Sequence, residues 1–184
     1  MGFPIAVVAH DYDPYEDCLK QFHTDTTSHT GRTLFEHLKG TRDLLKKWGM
    51  PEHVQVAGLF HSIYGTNIFT TPSASFTDRD LLQALIGTKA EWLAYLFCVA
   101  KRPKAFFDAF EDNSIHNRFG FHSHMVTNVE IHELIAIEVA NHMEQDMGAE
   151  LVAKVWDRSM YNTLLTKTAM DDMRRFMYKH GITR

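Results

Sequence analysis

The chain has 184 residues, enough for one full hydrophobic core, and its 45% hydrophobic and 12% aromatic content is that of a globular fold. Its 23 acidic against 19 basic residues leave a formal charge of -4, which argues against nucleic acid or an anionic membrane as the main partner. Two cysteines, Cys18 and Cys98, make neither a metal-type pair nor a disulfide framework, so the expected setting is a reducing, cytoplasmic one.

Residues 1–31 are the least regular part. The apolar run from Phe3 to Ala9 is too short for a signal peptide and has no basic residues before it. No apolar stretch reaches the ~18 residues that a spanning helix needs. Asp11, Asp13 and Asp17 look ligand-like, but an acidic surface turn is the commoner use of such residues. Tyr15 to Phe22 fits a short outer helix, and Thr24 to Gly31 reads as a loop.

The segment 33–48 follows as the first organising helix. Leu34, Leu38, Thr41, Leu44, Leu45 and Trp48 recur at helical spacing, and Gly49 stops it. Pro51 suits the first turn of the next helix, 51–63. Val54, Val56, Ala57, Leu59 and Phe60 make that helix nearly apolar throughout, so it should be central. His37 and His61 sit in these greasy surroundings and need partners, because an unpaired buried ring nitrogen is costly. Gly65 ends the segment in a left-handed turn. Tyr64, Thr66 and Asn67 then stand where a cavity mouth would be, Tyr64 as a catalytic candidate and the other two as substrate contacts.

Thr77 to Asp80 reads as a helix start, with Thr77 capping, acids in the first turn, and Leu81, Leu82, Leu85 and Ile86 as its buried side. Thr88–Glu91 has the pattern of a capping box, and Trp92, Leu93, Leu96, Phe97 and Val99 of a core helix behind it. Lys101, Arg102 and Lys104 close that helix. A basic end complementing the helix dipole is the favoured reading over an anion site. Residues 111–126 form the longest stretch without periodicity and are a candidate active-site loop. This loop carries His116, Arg118, His122 and His124, with Arg118 as a further substrate contact. His122 and His124 would share a face on an extended chain.

Thr127–Glu130 is another capping box, opening a helix 128–147 with Ile131, Leu134, Ile135 and Val139 buried. Glu138, Asn141 and Gln145 line an adjacent stripe with Leu134. Two closing helices, 149–165 and 168–180, take their packing from Trp156, Leu164, Met173, Phe176 and Met177. The expected architecture is an all-α, single-domain helical bundle. Phe106, Phe107 and Phe110, read as exposed, leave room for a homodimer.

The stretch His29–Phe69, HTGRTLFEHLKGTRDLLKKWGMPEHVQVAGLFHSIYGTNIF, with Ile137–Gln145 (IEVANHMEQ), resembles the HD superfamily of all-helical metal enzymes. The resemblance runs over roughly residues 29–145. It pairs a His on one helix, His37, with a His ending the next apolar helix, His61, and a polar residue on a later helix, Asn141. The family's Asp after the second His is here Ser62, and its distal Asp is Asn141. Ser62 and Asn141 are therefore site candidates by position alone, for substrate contact. The resemblance implies an all-helical HD-like fold and hydrolysis or oxidation of a small metabolite, assisted by a divalent transition metal such as iron, manganese or zinc.

Charge complicates that implication. With both carboxylates replaced, two positive charges would sit uncompensated in an apolar bundle, at a cost of several kcal/mol even after relaxation. Glu138, one turn before Asn141, can supply a carboxylate, alone or with His142. His122 or His124 can complete an all-imidazole set. Without metal, His37 and His61 can serve as general acid and base in an isomerase, lyase or hydrolase. A non-catalytic binding domain is the third reading. Among the other histidines of the twelve, His10, His23, His53, His132 and His180 read as surface residues. His29 lies on the surface or touches the cavity beside Arg32.

Overall fold

A computed structural model describes residues 13–120 and 122–183. The run at 3–9, His10 and Asp11 lie outside them. Among the described residues the fold is mainly helical, with two small antiparallel hairpins.

Local side-chain caps set several helix starts. Asp13 accepts the N–H groups of Tyr15 and Glu16 and opens α1 (Pro14–Gln21), with Pro14 where a missing N–H costs nothing. A hairpin follows, β1 (Ser28–His29) and β2 (Arg32–Thr33), in register His29 with Arg32. Thr33 and Glu36 form a reciprocal capping box for α2 (Leu34–Lys47). After Gly49 and Pro51 comes α3 (Glu52–Phe60), with His61 at its C-cap.

The next segment departs from the expected pattern. Ser75, not Thr77, caps a 3-10 turn (Phe76–Asp78) that leads into α4 (Arg79–Ile86). Only Leu82 and Ile86 of α4 are buried, whereas Leu81 and Leu85 face solvent. Helix α5 (Thr88–Val99) starts without a side-chain cap. Glu91 does not turn back to Thr88. It is buried and receives hydrogen bonds from Tyr64, Arg79 and Gln83 instead.

Much of the expected loop 111–126 is regular structure among the described residues: helix α6 (Lys104–Asp112) covers its start, and β3 (Ser114–His116) pairs with β4 (Ser123–Met125) in an antiparallel hairpin. The three phenylalanines of α6 are not exposed: Phe106 is fully buried, and Phe107 and Phe110 pack on Tyr161. Thr127 and Glu130 box the start of α7 (Asn128–Glu144) as expected. The chain closes with α8 (Ala149–Asp157), α9 (Ser159–Asn162) and α10 (Lys167–Lys179). Met173, Phe176 and Met177 are buried there, but Leu164 is exposed.

Helix α2 packs on α3 and α7, and α3 on α5, so the nearly apolar α3 is central. Gly58 allows the α2–α3 contact, because a Cβ there would lie 2.3 Å from Leu45 Cδ1. No helix of the described residues is long and apolar enough to cross a membrane.

Candidate functional site

His37 projects from the first turn of α2 and His61 from the end of α3, and both side chains are closed from solvent. Their Nε2 atoms face each other at 3.2 Å, with the ring planes nearly perpendicular. Each ring is tied at its other nitrogen. His61 Nδ1 lies 2.7 Å from the Gly58 carbonyl oxygen, and His37 Nδ1 lies 2.5 Å from Glu144 Oε2. A carbonyl and a carboxylate only accept, so both Nδ1 atoms carry hydrogen. Burial holds the His61 ring well below the usual histidine range, and neighbouring His37 pushes the same way. His61 therefore presents an Nε2 lone pair towards His37.

A third imidazole completes the cluster. His29, on the β1–β2 hairpin, stacks on His37 with ring centroids 4.5 Å apart and meets Phe69 edge-on. Burial, then neighbouring His37, holds its ring below the usual value, against an opposing influence of Gln145. Arg32 on the same hairpin pairs with Glu144. A surface hollow of about 340 Å³ opens beside them, lined by Thr30, Arg32, Glu144, Gln145, Asp146 and Met147.

On the far side, Arg102 is turned inward rather than serving as a basic helix end. Its Nη1 donates to both oxygens of Glu138 at 2.7 and 3.0 Å, its Nη2 reaches Thr66, and its guanidinium lies over Phe97. His61 meets the same Phe97 ring edge-on. Burial pushes the Glu138 carboxyl up, but Arg102 and His142 outweigh it and leave it below its usual value. Glu138, expected as a carboxylate for a metal, here faces Arg102 and His142.

The remaining candidates separate into those near the pair and those elsewhere. Asn141 is buried on α7 and accepts from Gln145 through Oδ1. Ser62 is buried in the turn after His61, where its carbonyl takes the Gly65 N–H. Thr66 Oγ1 accepts the N–H groups of Ile68 and Phe69, and Asn67 donates to the Arg102 carbonyl, so both hold the turn that seats Arg102. The Tyr64 hydroxyl donates to Glu91 at 2.9 Å. Burial and then Glu91 push this phenol far above its usual value. Arg118 Nε donates to the Cys98 carbonyl and braces the end of α5.

The loop histidines do not fold in. His122 Nε2 meets Asn117 Nδ2 at 3.1 Å, and His124 Nε2 meets the Tyr95 hydroxyl at 3.2 Å, with His124 edge-on to Trp92. The two do share a face, with centroids 5.4 Å apart, but that face belongs to the second hairpin. Among the described residues no three His, Cys, Asp or Glu side chains form a ready ligand set. The site residues that spacing did not single out are Glu144 and Arg102. Each is a charge next to a break in a helix, and only its partner, far along the chain, shows which way it turns.

A family model described as a domain of unknown function (DUF6817) matches residues 18–102. That range holds all three clustered histidines and ends on Arg102, while Glu138, Asn141 and Glu144 lie beyond it. No curated protein and no solved structure matches the chain.

Proposed function

We propose that the chain is a small-metabolite enzyme of HD-like type, in which His37 and His61 hold a divalent transition metal through their Nε2 atoms. One observation carries this reading: both rings aim Nε2 at a shared point, 3.2 Å apart, while both Nδ1–H groups are tied to acceptors. Metal-binding histidines are oriented in this way, by a carboxylate or carbonyl behind the ring. The order of parts, a His on α2, a His ending α3 and Asn141 on α7 with all three helices in contact, supports the resemblance to the HD superfamily.

Iron, manganese or zinc held there supplies Lewis acidity, which polarises a substrate oxygen and lowers the pKa of water for hydrolysis or oxidation. The chain's own residues do the rest. Glu144 and the Gly58 carbonyl fix the two rings. Burial keeps His61 unprotonated and its lone pair available. The pairs Arg102–Glu138 and Arg32–Glu144 each cancel internally, so the polar cluster adds no net negative charge. An ion with only neutral imidazoles around it therefore favours an anionic substrate to balance it. Two free, buried cysteines fit a reducing compartment such as the cytosol.

The same 3.2 Å contact supports a second reading, a metal-free acid–base pair. A proton shared between the two Nε2 atoms gives His37 both ring hydrogens, opposite the Glu144 carboxylate. His37 is then the acid and His61 the base of an isomerase, lyase or hydrolase.

Elemental analysis separates the two. Purified without added metal and then reconstituted, the protein is expected to hold one transition-metal ion per chain and His61→Ala to lose it. Below about a tenth of an equivalent in both states, the metal reading is overturned and the acid–base pair stands.

A further inference from the structure

We infer that the turn at 117–120 carries a second binding site, which takes a small molecule joining a phosphate group to a flat aromatic ring. The inference is independent of the metal reading, and none of the residues it uses belongs to the histidine cluster.

The site is made of two hollows that share Arg118. The first, of about 360 Å³, gathers Lys101, Lys104 and Arg118, with His116 beside them, in a chain whose formal charge is -4. Its two carboxylates are already engaged. Asp108 pairs with Lys104, and Asp112 accepts the Ser114 N–H. Lys101 has no side-chain partner among the described residues. Arg118 spends only Nε on a protein acceptor there, which leaves both Nη groups to donate. An ammonium and a guanidinium with uncommitted donors in one hollow are suited to a phosphate.

The second hollow, of about 600 Å³, is aromatic, lined by Tyr64, Phe76 and Phe119. Phe76 meets Phe119 edge-on, with centroids 5.6 Å apart. Phe119 is exposed, and the Arg118 guanidinium lies over one face of its ring, 3.9 Å from the centre. The other face is left for a planar guest, since an exposed ring is a stacking platform. Both hollows have the volume of a small-molecule site.

Hydrogen bonds hold Arg118 where the two meet. Its N–H donates to the Val99 carbonyl and its Nε to the Cys98 carbonyl, both at 2.9 Å. Asn117 Oδ1 accepts the Phe119 N–H, and the Asn117 carbonyl accepts that of Gly120. The end of α5 thus fixes Arg118 and delivers Lys101 two residues later, so the cations are placed before a ligand arrives. Loose charge would take any anion. Here one residue serves both the basic and the aromatic hollow, which favours a guest carrying both groups.

Calorimetric titration of the full chain with adenosine monophosphate, ribose phosphate and inorganic phosphate tests this. Adenosine monophosphate is expected to bind saturably, about tenfold more tightly than ribose phosphate, which lacks the aromatic ring. Lys101→Ala is expected to weaken both about tenfold. Phe119→Ala is expected to weaken adenosine monophosphate alone. Lys101 and Phe119 are exposed, so both variants are expected to keep the fold, which circular dichroism checks. Absence of saturable binding to the wild type overturns the inference. Binding that neither variant changes puts the ligand elsewhere and overturns it as well. Equal affinity for all three anions leaves a bare anion hollow, removes the aromatic half and overturns the site as a whole.

Discussion

Glu144 meets Nδ1 of His37 at 2.5 Å across the face of α2 that carries Gly40. A Cβ at position 40 would lie 2.5 Å from Glu144 Oε1 and 2.8 Å from its Cγ, so the carboxylate has its place because residue 40 has no side chain. Two opposing effects meet in Gly40→Ala. Alanine gains up to about 1 kcal/mol in a helix interior. The clash involves the carboxylate and its stem, and displacing them costs about 1–3 kcal/mol. Gly40→Ala is therefore expected to be neutral to destabilising in urea denaturation despite its better helix propensity. Metal affinity, measured by chelator competition, is expected to fall about tenfold to a hundredfold in Gly40→Ala and in Glu144→Gln alike. An unchanged affinity in both would remove Glu144 from the site.

The Arg102–Glu138 pair, 5% and 1% exposed, is a buried ion pair on the edge of the same cluster. Glu138→Leu leaves a guanidinium without its carboxylate, and removing one partner of such a pair costs about 3–5 kcal/mol. Arg102→Met strands Glu138 in the same way, apart from the help of His142. The double variant removes both charges and is expected to recover most of the loss, read as the urea midpoint by circular dichroism. Additive losses in the double variant would show that the two side chains are not coupled.

Asp172 joins α10 to the end of α2, accepting from Lys47, the Trp48 indole and Arg175. Burial pushes its carboxyl up, but these donors outweigh burial and hold it below the usual value of 3.8. The sign follows from linkage. The folded carboxyl binds its proton less readily than the unfolded one, so the stabilisation is complete above about pH 4 and drains away as pH falls through the folded value. Asp172→Asn is expected to flatten the acid limb of the stability profile. At neutral pH it should cost about 1–2 kcal/mol, since the buried indole loses a charged acceptor. Trp fluorescence during urea titration at several pH values reads both, and an acid limb equal to that of wild type would assign it to other carboxylates.

The helix starts show how much was legible in one dimension. Thr33–Glu36 and Thr127–Glu130 close their capping boxes as the pattern suggests, because every atom involved lies within four residues. Thr88–Glu91 carries the same pattern and does not close, because Arg79, Gln83 and Tyr64 offer Glu91 stronger partners. A local motif holds until a tertiary charge outbids it.

The site divides along the same line. The apolar setting of His37 and His61 on consecutive helices was enough to mark them as a pair, since a ring nitrogen in a greasy helix has to find a partner. Which nitrogen faces inward was decided by Gly58 O and by Glu144, the latter 107 residues from His37 along the chain. Helix periodicity, caps and the histidine pair are properties of neighbouring residues, and the sequence alone determined them. The pairing of Arg102 with Glu138, the clamp of Arg32 on Glu144 and the stacking of His29 on His37 belong to the packed state. Electrostatic and ring contacts act through space, and only the packing of α2, α3 and α7 brings those groups within reach.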